Sequence, residues 1–235
     1  RGFTAAAHEE LKNTRMRENV GHATRSIRQK RAHVVAEKND WEQLRLAGSH
    51  IKRDVMARLP ELLERFEESV TNAGGHVHWA RDAAEANRII TDLVKETGEE
   101  KVVKIKSMAT QEIGLNEALA DAGITARETD LAELIVQLAD DMPSHILVPA
   151  IHRNREDIRE IFLNGIPGVD PDLKANPADL AEASRKFLRE QFMEAKVAIS
   201  GANFGVAETG TVAVVESEGN GRMCLTPVSY THLRA

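Results

Sequence analysis

The stretch KVVKIKSMATQEIGLNEALADAGITARE, residues 101–128, decides the fold. Lys101-Val-Val-Lys-Ile105 is short and β-branched and reads as a strand, Met108 to Ala122 carries helical spacing, and Ile124 to Glu128 reads as a second strand. Strands separated by a helix of this length lie parallel, because a tight hairpin cannot join them. The same alternation continues outward. On the N-terminal side His76-Val-His-Trp79 is strand-like, and Asp82 opens a helix to about Thr97. On the C-terminal side come a helix from Leu131 to Leu138, a strand His145-Ile-Leu-Val148 and a helix from Arg153 to Phe162. After the Pro/Asp/Gly-rich linker Gly165 to Asn176, a helix runs from Pro177 to Ala195, followed by strands Val197 to Ser200 and Thr211 to Val215. The expected fold class is α/β, a mainly parallel sheet flanked by helices.

The front of the chain is different. Residues 1–38 form a basic helical arm whose apolar positions, Leu11, Ile27, Val34 and Val35, are too sparse for a complete stripe, so it packs on something else or frays. Asp40 then caps an amphipathic helix carrying Trp41, Leu44, Ile51, Val55, Leu59, Leu62, Leu63, Phe66 and Val70. Pro60 interrupts it, giving a kink or two helices, and Gly74-Gly75 ends it. The division is a 1–38 arm, a 39–228 α/β domain incomplete at its C-terminus, and a non-native tail at 229–235 that stays outside the fold reasoning.

Composition narrows the function classes. The formal charge of −6 is unevenly spread: residues 1–35 hold eight Lys/Arg against three Asp/Glu, leaving 23 against 34 in the remainder. A basic arm without interleaved aromatics, on an acidic body, suits a protein partner and not nucleic acid. Cys224 is the only cysteine, so there is no disulfide framework and no thiolate metal site. No apolar run approaches transmembrane length, and these features together point to the cytoplasm.

In an open α/β sheet, ligands sit beyond the carboxyl ends of the strands. Lys106 and Ser107 follow the strand that ends at Ile105 and stand just before a helix, where an anion is favoured or Ser107 merely caps. Asn116, a poor helix former, lies further along that helix. The glycine-rich stretch after Val197 contributes Gly201, Asn203, Glu208, Thr209, Gly210 and Thr211, and a second polar cluster holds Asn220. Together these are the candidate ligand-binding residues. His152 is a structural histidine, an anion contact or an acid/base, and Glu208 is the other weak catalytic candidate. His76 and His78 share a strand face but lack a third ligand, so no metal is expected in this fragment. No Walker loop, GxGxxG turn or nucleophile elbow is present.

Asp40-Trp-Glu, Ala73-Gly-Gly-His-Val-His78, Ala83-Ala-Glu-Ala-Asn87, Lys106-Ser-Met, Glu112-Ile-Gly-Leu-Asn-Glu-Ala118, Glu128-Thr-Asp-Leu131, Pro143-Ser-His-Ile146, Pro149-Ala-Ile-His152 and the Gly201 to Thr211 stretch resemble the LUD family in order and spacing. The resemblance implies a fold similar to the sugar-phosphate isomerase and coenzyme A transferase group. It also implies a subunit of a cytoplasmic complex that oxidises L-lactate to pyruvate, works with sister subunits and passes electrons through [4Fe–4S] clusters. Those clusters belong to a ferredoxin-like domain beyond this fragment, which itself binds no cofactor; a small carboxylate or other anion is the expected ligand. The alternatives are a sugar-phosphate isomerase-like or acyl-transfer enzyme, with Glu208 as base and Lys106 holding an anion, or a scaffold for a redox partner.

Overall fold

The computed structural model describes residues 2–145, 148–226 and, as backbone alone, 230–234. Four helices fill the first third: α1 (Phe3–Glu10), α2 (Thr14–Ala36), α3 (Trp41–Ala57) and α4 (Leu59–Asn72). None of them carries a fully buried residue. Asn13 separates the first two by accepting the Met16 N–H at 3.0 Å as an N-cap. Pro60 resolves the kink-or-break alternative as a break. Its ring nitrogen cannot donate to the turn before it, so α3 stops at Ala57 and the proline falls in the first turn of α4, where a missing N–H costs nothing.

The sheet follows. Asp82 caps α5 (Ala83–Glu96) through its carboxylate, which accepts the Glu85 N–H at 2.9 Å. Strand β1 (Lys101–Lys104) pairs in parallel with β2 (Thr125–Glu128) on one side and with β3 (Val197–Gly201) on the other. Between β1 and β2 the expected single helix is two, α6 (Met108–Glu112) and α7 (Leu115–Asp121), because Gly114 adopts a left-handed φ of 66° that ends one and starts the other. Beyond β2 come α8 (Leu131–Leu138), α9 (Arg155–Gly165) and α10 (Pro177–Glu194), then the antiparallel hairpin β4 (Phe204–Val206) and β5 (Thr211–Ala213), and α11 (Asn220–Leu225).

Alternation along β1 builds two cores. Val103 and Ile105 face Leu134, Ile135, Phe162, Leu188 and Phe192 from α8, α9 and α10. Val102, with Val197 and Ile199 of β3, faces Val94 of α5 and Leu115 and Leu119 of α7. Helices on both faces bury the sheet, which is what a parallel sheet requires.

The strand expected at 76–79 is corrected. Residues 76–79 run without a neighbouring strand; Trp79 instead donates its indole N–H to Glu67 of α4 at 3.0 Å. At the 145–148 stretch, 146 and 147 lie outside the described residues, and His145 and Val148 belong to no strand. Local bonds occupy the backbone there, Ser144 N–H to Pro149 O at 3.0 Å and Val148 N–H to His145 Nδ1 at 3.1 Å. Residues 230–234, set apart by the sequence reading, form β6 (Tyr230–Arg234), parallel to β3, in the order β2-β1-β3-β6.

The β4–β5 hairpin is fastened to α4. Ser69 Oγ donates to Ala207 O at 2.8 Å, and Gly210, at φ 69°, sits so close that a Cβ there would lie 2.6 Å from Val70 N. Gly210→Ala is therefore expected to cost about 2–4 kcal/mol from left-handed strain plus collision with the helix backbone. Thermal unfolding should show this as a fall in Tm of about 5–15 °C.

Candidate functional site

The carboxyl ends of β1 and β2 carry a buried polar cluster. In the parallel register Lys104 stands opposite Glu128, and Lys104 Nζ donates to Glu128 Oε1 at 2.5 Å. Their side chains are 4% and 6% exposed. Asn116, two residues past Gly114 on α7, donates its Nδ2 to the same Oε1 at 2.8 Å. Both donors therefore fall on one carboxylate oxygen. Glu128 Oε2 and Asn116 Oδ1 are buried with no hydrogen-bond partner among the described residues, an arrangement proteins rarely tolerate without a reason.

Around this pair the strand ends are crowded with charge. Asp130 Oδ2 accepts the Lys106 N–H at 2.6 Å. Burial pushes the Asp130 carboxyl up, as does neighbouring Glu128, against the pull of the Lys106 N–H, Asn220 and the Lys106 charge. Lys106 Nζ is paired with Glu133 Oε1 on α8 at 3.0 Å. Thr129 Oγ1 donates to Lys104 O at 2.8 Å and accepts from Asn220 Nδ2 at 3.2 Å. Beneath them Cys224 is buried and its thiol pushed up to about 12, mainly by burial, so it is no thiolate at neutral pH. Glu128 Oε2 and Asn116 Oδ1 are two buried acceptors that could each take a donated hydrogen.

The residues singled out from the sequence fall in four places. Lys106, Asn116 and Asn220 belong to this cluster. Ser107 caps α6 through Thr110 N–H at 3.3 Å, and Gly201 of β3 lies against it, where a Cβ would sit 2.9 Å from Ser107 Oγ. The remaining loop residues serve the hairpin: Asn203 Oδ1 accepts from Val215 N–H at 2.7 Å, Thr209 Oγ1 donates to Thr211 Oγ1 at 2.8 Å, and Glu208, its side chain 76% exposed, lies 3.7 Å from Arg65 of α4. His152 does not face Lys106. It lies under α2, where Asn19 Nδ2 donates to its carbonyl at 3.1 Å and its ring meets Asp141 and Ser144. Sequence reasoning places Lys104 at the same strand end as Lys106 and Ser107, but passes over Glu128, Asp130 and Glu133 as site residues; the signal for the buried pair is the charge inside the apolar run Val-Val-Lys-Ile.

The fold and the cluster define an α/β domain with a parallel sheet, helices on both faces and a polar site at the strand ends. Residues 63–230 match the LUD domain, and the chain belongs to that family. It is 40% identical over 231 residues to the "Uncharacterized electron transport protein YkgF" of Escherichia coli K12, covering 98% of this chain and 48% of that protein. It is 40% identical to "Lactate utilization protein B" of Bacillus licheniformis over 225 residues, 95% of this chain and 46% of that one. The Bacillus subtilis 168 protein of the same name is 39% identical over the same shares. The chain thus spans about half the length of the curated relatives it matches. No solved structure matches it.

Two measurements follow. Lys104→Met strands a buried carboxylate and is expected to destabilise the domain by about 3–5 kcal/mol in urea unfolding, whereas Lys104→Met with Glu128→Leu should recover most of that loss. Asp141 gives a pH signature. Burial would raise its carboxyl, but hydrogen bonds from His152, Arg153 and Met142 N–H hold it at about 2 against an ordinary 3.8. The folded chain binds that proton less tightly than the unfolded one, so the stabilisation is complete above about pH 4 and disappears as pH falls through about 2. Asp141→Asn should cost about 1–2 kcal/mol at neutral pH, allowing for solvent screening at this half-open site, with the difference from wild type vanishing by about pH 2.

Proposed function

We propose that this chain is the LUD portion of a lactate-utilization protein, one component of a complex that oxidises L-lactate to pyruvate, and that its strand-end cluster holds the 2-hydroxy acid. The observation that supports the site is the pair of unmet acceptors: the substrate hydroxyl donates to Glu128 Oε2 or Asn116 Oδ1, and its carboxylate competes with Glu133 for the Lys106 ammonium. The names of the relatives support the pathway, and YkgF's name supports electron transport.

In this reading electrons leave through [4Fe–4S] clusters held outside this chain. The residues here do not fit a cluster, because Cys224 is the only cysteine, buried and held as a thiol. Sister subunits dock on the N-terminal helices, where Leu44, Ile51 and Met56 of α3 are exposed beside the basic arm. Among the described residues no helix is long and apolar enough to cross a membrane.

Calorimetric titration with L-lactate tests the site. Binding should weaken about tenfold or more in Lys106→Ala and in Glu128→Gln, the loss of a charge-assisted contact; no binding to the wild type, or binding indifferent to Lys106→Ala, removes the site. The electron-transfer role is tested on the longer protein containing this chain. Anaerobic reconstitution should give brown iron–sulfur absorbance, and a colourless product overturns it.

A further inference from the structure

We propose that Ser144, His152 and Asp141 form a second reactive centre, a serine nucleophile with its base and orienting carboxylate, acting as a hydrolase on esters of small acids. Ser144 Oγ lies 2.6 Å from His152 Nδ1, and His152 Nε2 lies 2.8 Å from Asp141 Oδ2. These contacts fix the proton positions. An ionised Asp141 can only accept, so Nε2 carries the ring hydrogen and donates it; Nδ1 is then the basic nitrogen and accepts the Ser144 hydroxyl hydrogen. This is the relation of nucleophile, general base and orienting acid that defines such centres by geometry, whatever their order in the chain.

The surroundings hold it in place. Asp141 is clamped by the Arg153 guanidinium and accepts the Met142 N–H at 2.8 Å. His152 is buried to 10% side-chain exposure, and its carbonyl is tied to Asn19 of α2. Ser144 is exposed, with its backbone N–H bonded to Pro149 O, so the nucleophile is accessible while its base is fixed. All three line a cleft of about 730 Å³, within the range of small-molecule sites, whose opposite wall is the arm: Asn13, Arg15 and Met16.

The chemistry balances with water as the only co-reactant. Ser144 Oγ attacks the ester carbonyl while its proton passes to His152 Nδ1, and Asp141 stabilises the imidazolium. The alkoxide leaves with that proton, giving an acyl-serine. Water then attacks the acyl-serine, its proton taken by the same nitrogen, and releases the acid and Ser144. Arg15 spends Nη2 on Asp157 at 2.6 Å and has further N–H donors for the oxyanion.

This centre stands apart from the strand-end site, so its test does not depend on lactate binding. The 235-residue chain is treated with a fluorophosphonate probe and mapped by mass spectrometry, and hydrolysis of p-nitrophenyl acetate is followed in parallel. The expected result is modification at Ser144 that is lost in Ser144→Ala, a variant whose thermal unfolding matches wild type. Hydrolysis should fall about a hundredfold or more in Ser144→Ala and in Asp141→Asn, the latter by favouring the wrong ring tautomer. A wild-type chain that takes up no probe, or takes it up elsewhere, overturns the proposal, as does Ser144→Ala hydrolysing at the wild-type rate.

Discussion

The ion pair between Lys104 and Glu128 is the constraint around which the strand ends are arranged. Two charges less than a tenth exposed carry a desolvation cost of several kcal/mol each, offset only if they meet at hydrogen-bond distance. Their residues are register partners in the β1–β2 ladder, so a slip by one residue would point one of them to the opposite face and leave both charges buried and alone. The same pairing aligns Val102 with Ala126 for the α5/α7 core and sets the height at which Asn116 reaches Glu128. Register, core and site are thus one choice.

The order of elements was legible because apolar runs and caps both leave marks in sequence. Val-Val and Val-Ala-Ile identify strands buried on both faces, Asp82 and Asn176 are side-chain caps where helices were expected to begin, and Leu131–Leu138 has the bounds its spacing implies. The errors share a cause. His76-Val-His-Trp79 alternates like a strand, but a strand is defined by its neighbour, and local pattern carries no information about which edge is open. Gly114 was visible, yet whether a glycine interrupts a helix depends on the φ that packing selects. The site was partly legible for a related reason. Lys106 and Asn116 stand next to loop or helix signals, whereas Lys104 and Glu128 sit inside strands, where a charge has meaning only once its partner across the ladder is known.

The glycine-rich stretch after β3 illustrates how one composition serves two ends. Gly201 lets β3 pass against Ser107 at the strand ends, and Gly210 lets the hairpin lie on the backbone of α4. The polar residues between them bond to one another and to α4, so their chemistry is used in holding an N-terminal helix to the domain. Arg15 to Asp157 and Asn19 to His152 do the same for the arm. None of the first four helices buries a residue completely, and α3 leaves Leu44, Leu46, Ile51 and Met56 exposed.

That arrangement bears on why the strand-end cluster is left incomplete. A buried acceptor without a donor costs about 1–3 kcal/mol, and the cluster holds two such oxygens, Glu128 Oε2 and Asn116 Oδ1. A purely structural ion pair would be better served by a donor on each oxygen, and Asn116 could supply one by reaching the other oxygen. Instead both donors converge on Oε1, which orients the carboxylate and leaves Oε2 available. Under the proposed reading the carboxylate is already held by Lys104 and Asn116, and the missing hydrogen bonds are the ligand's to make.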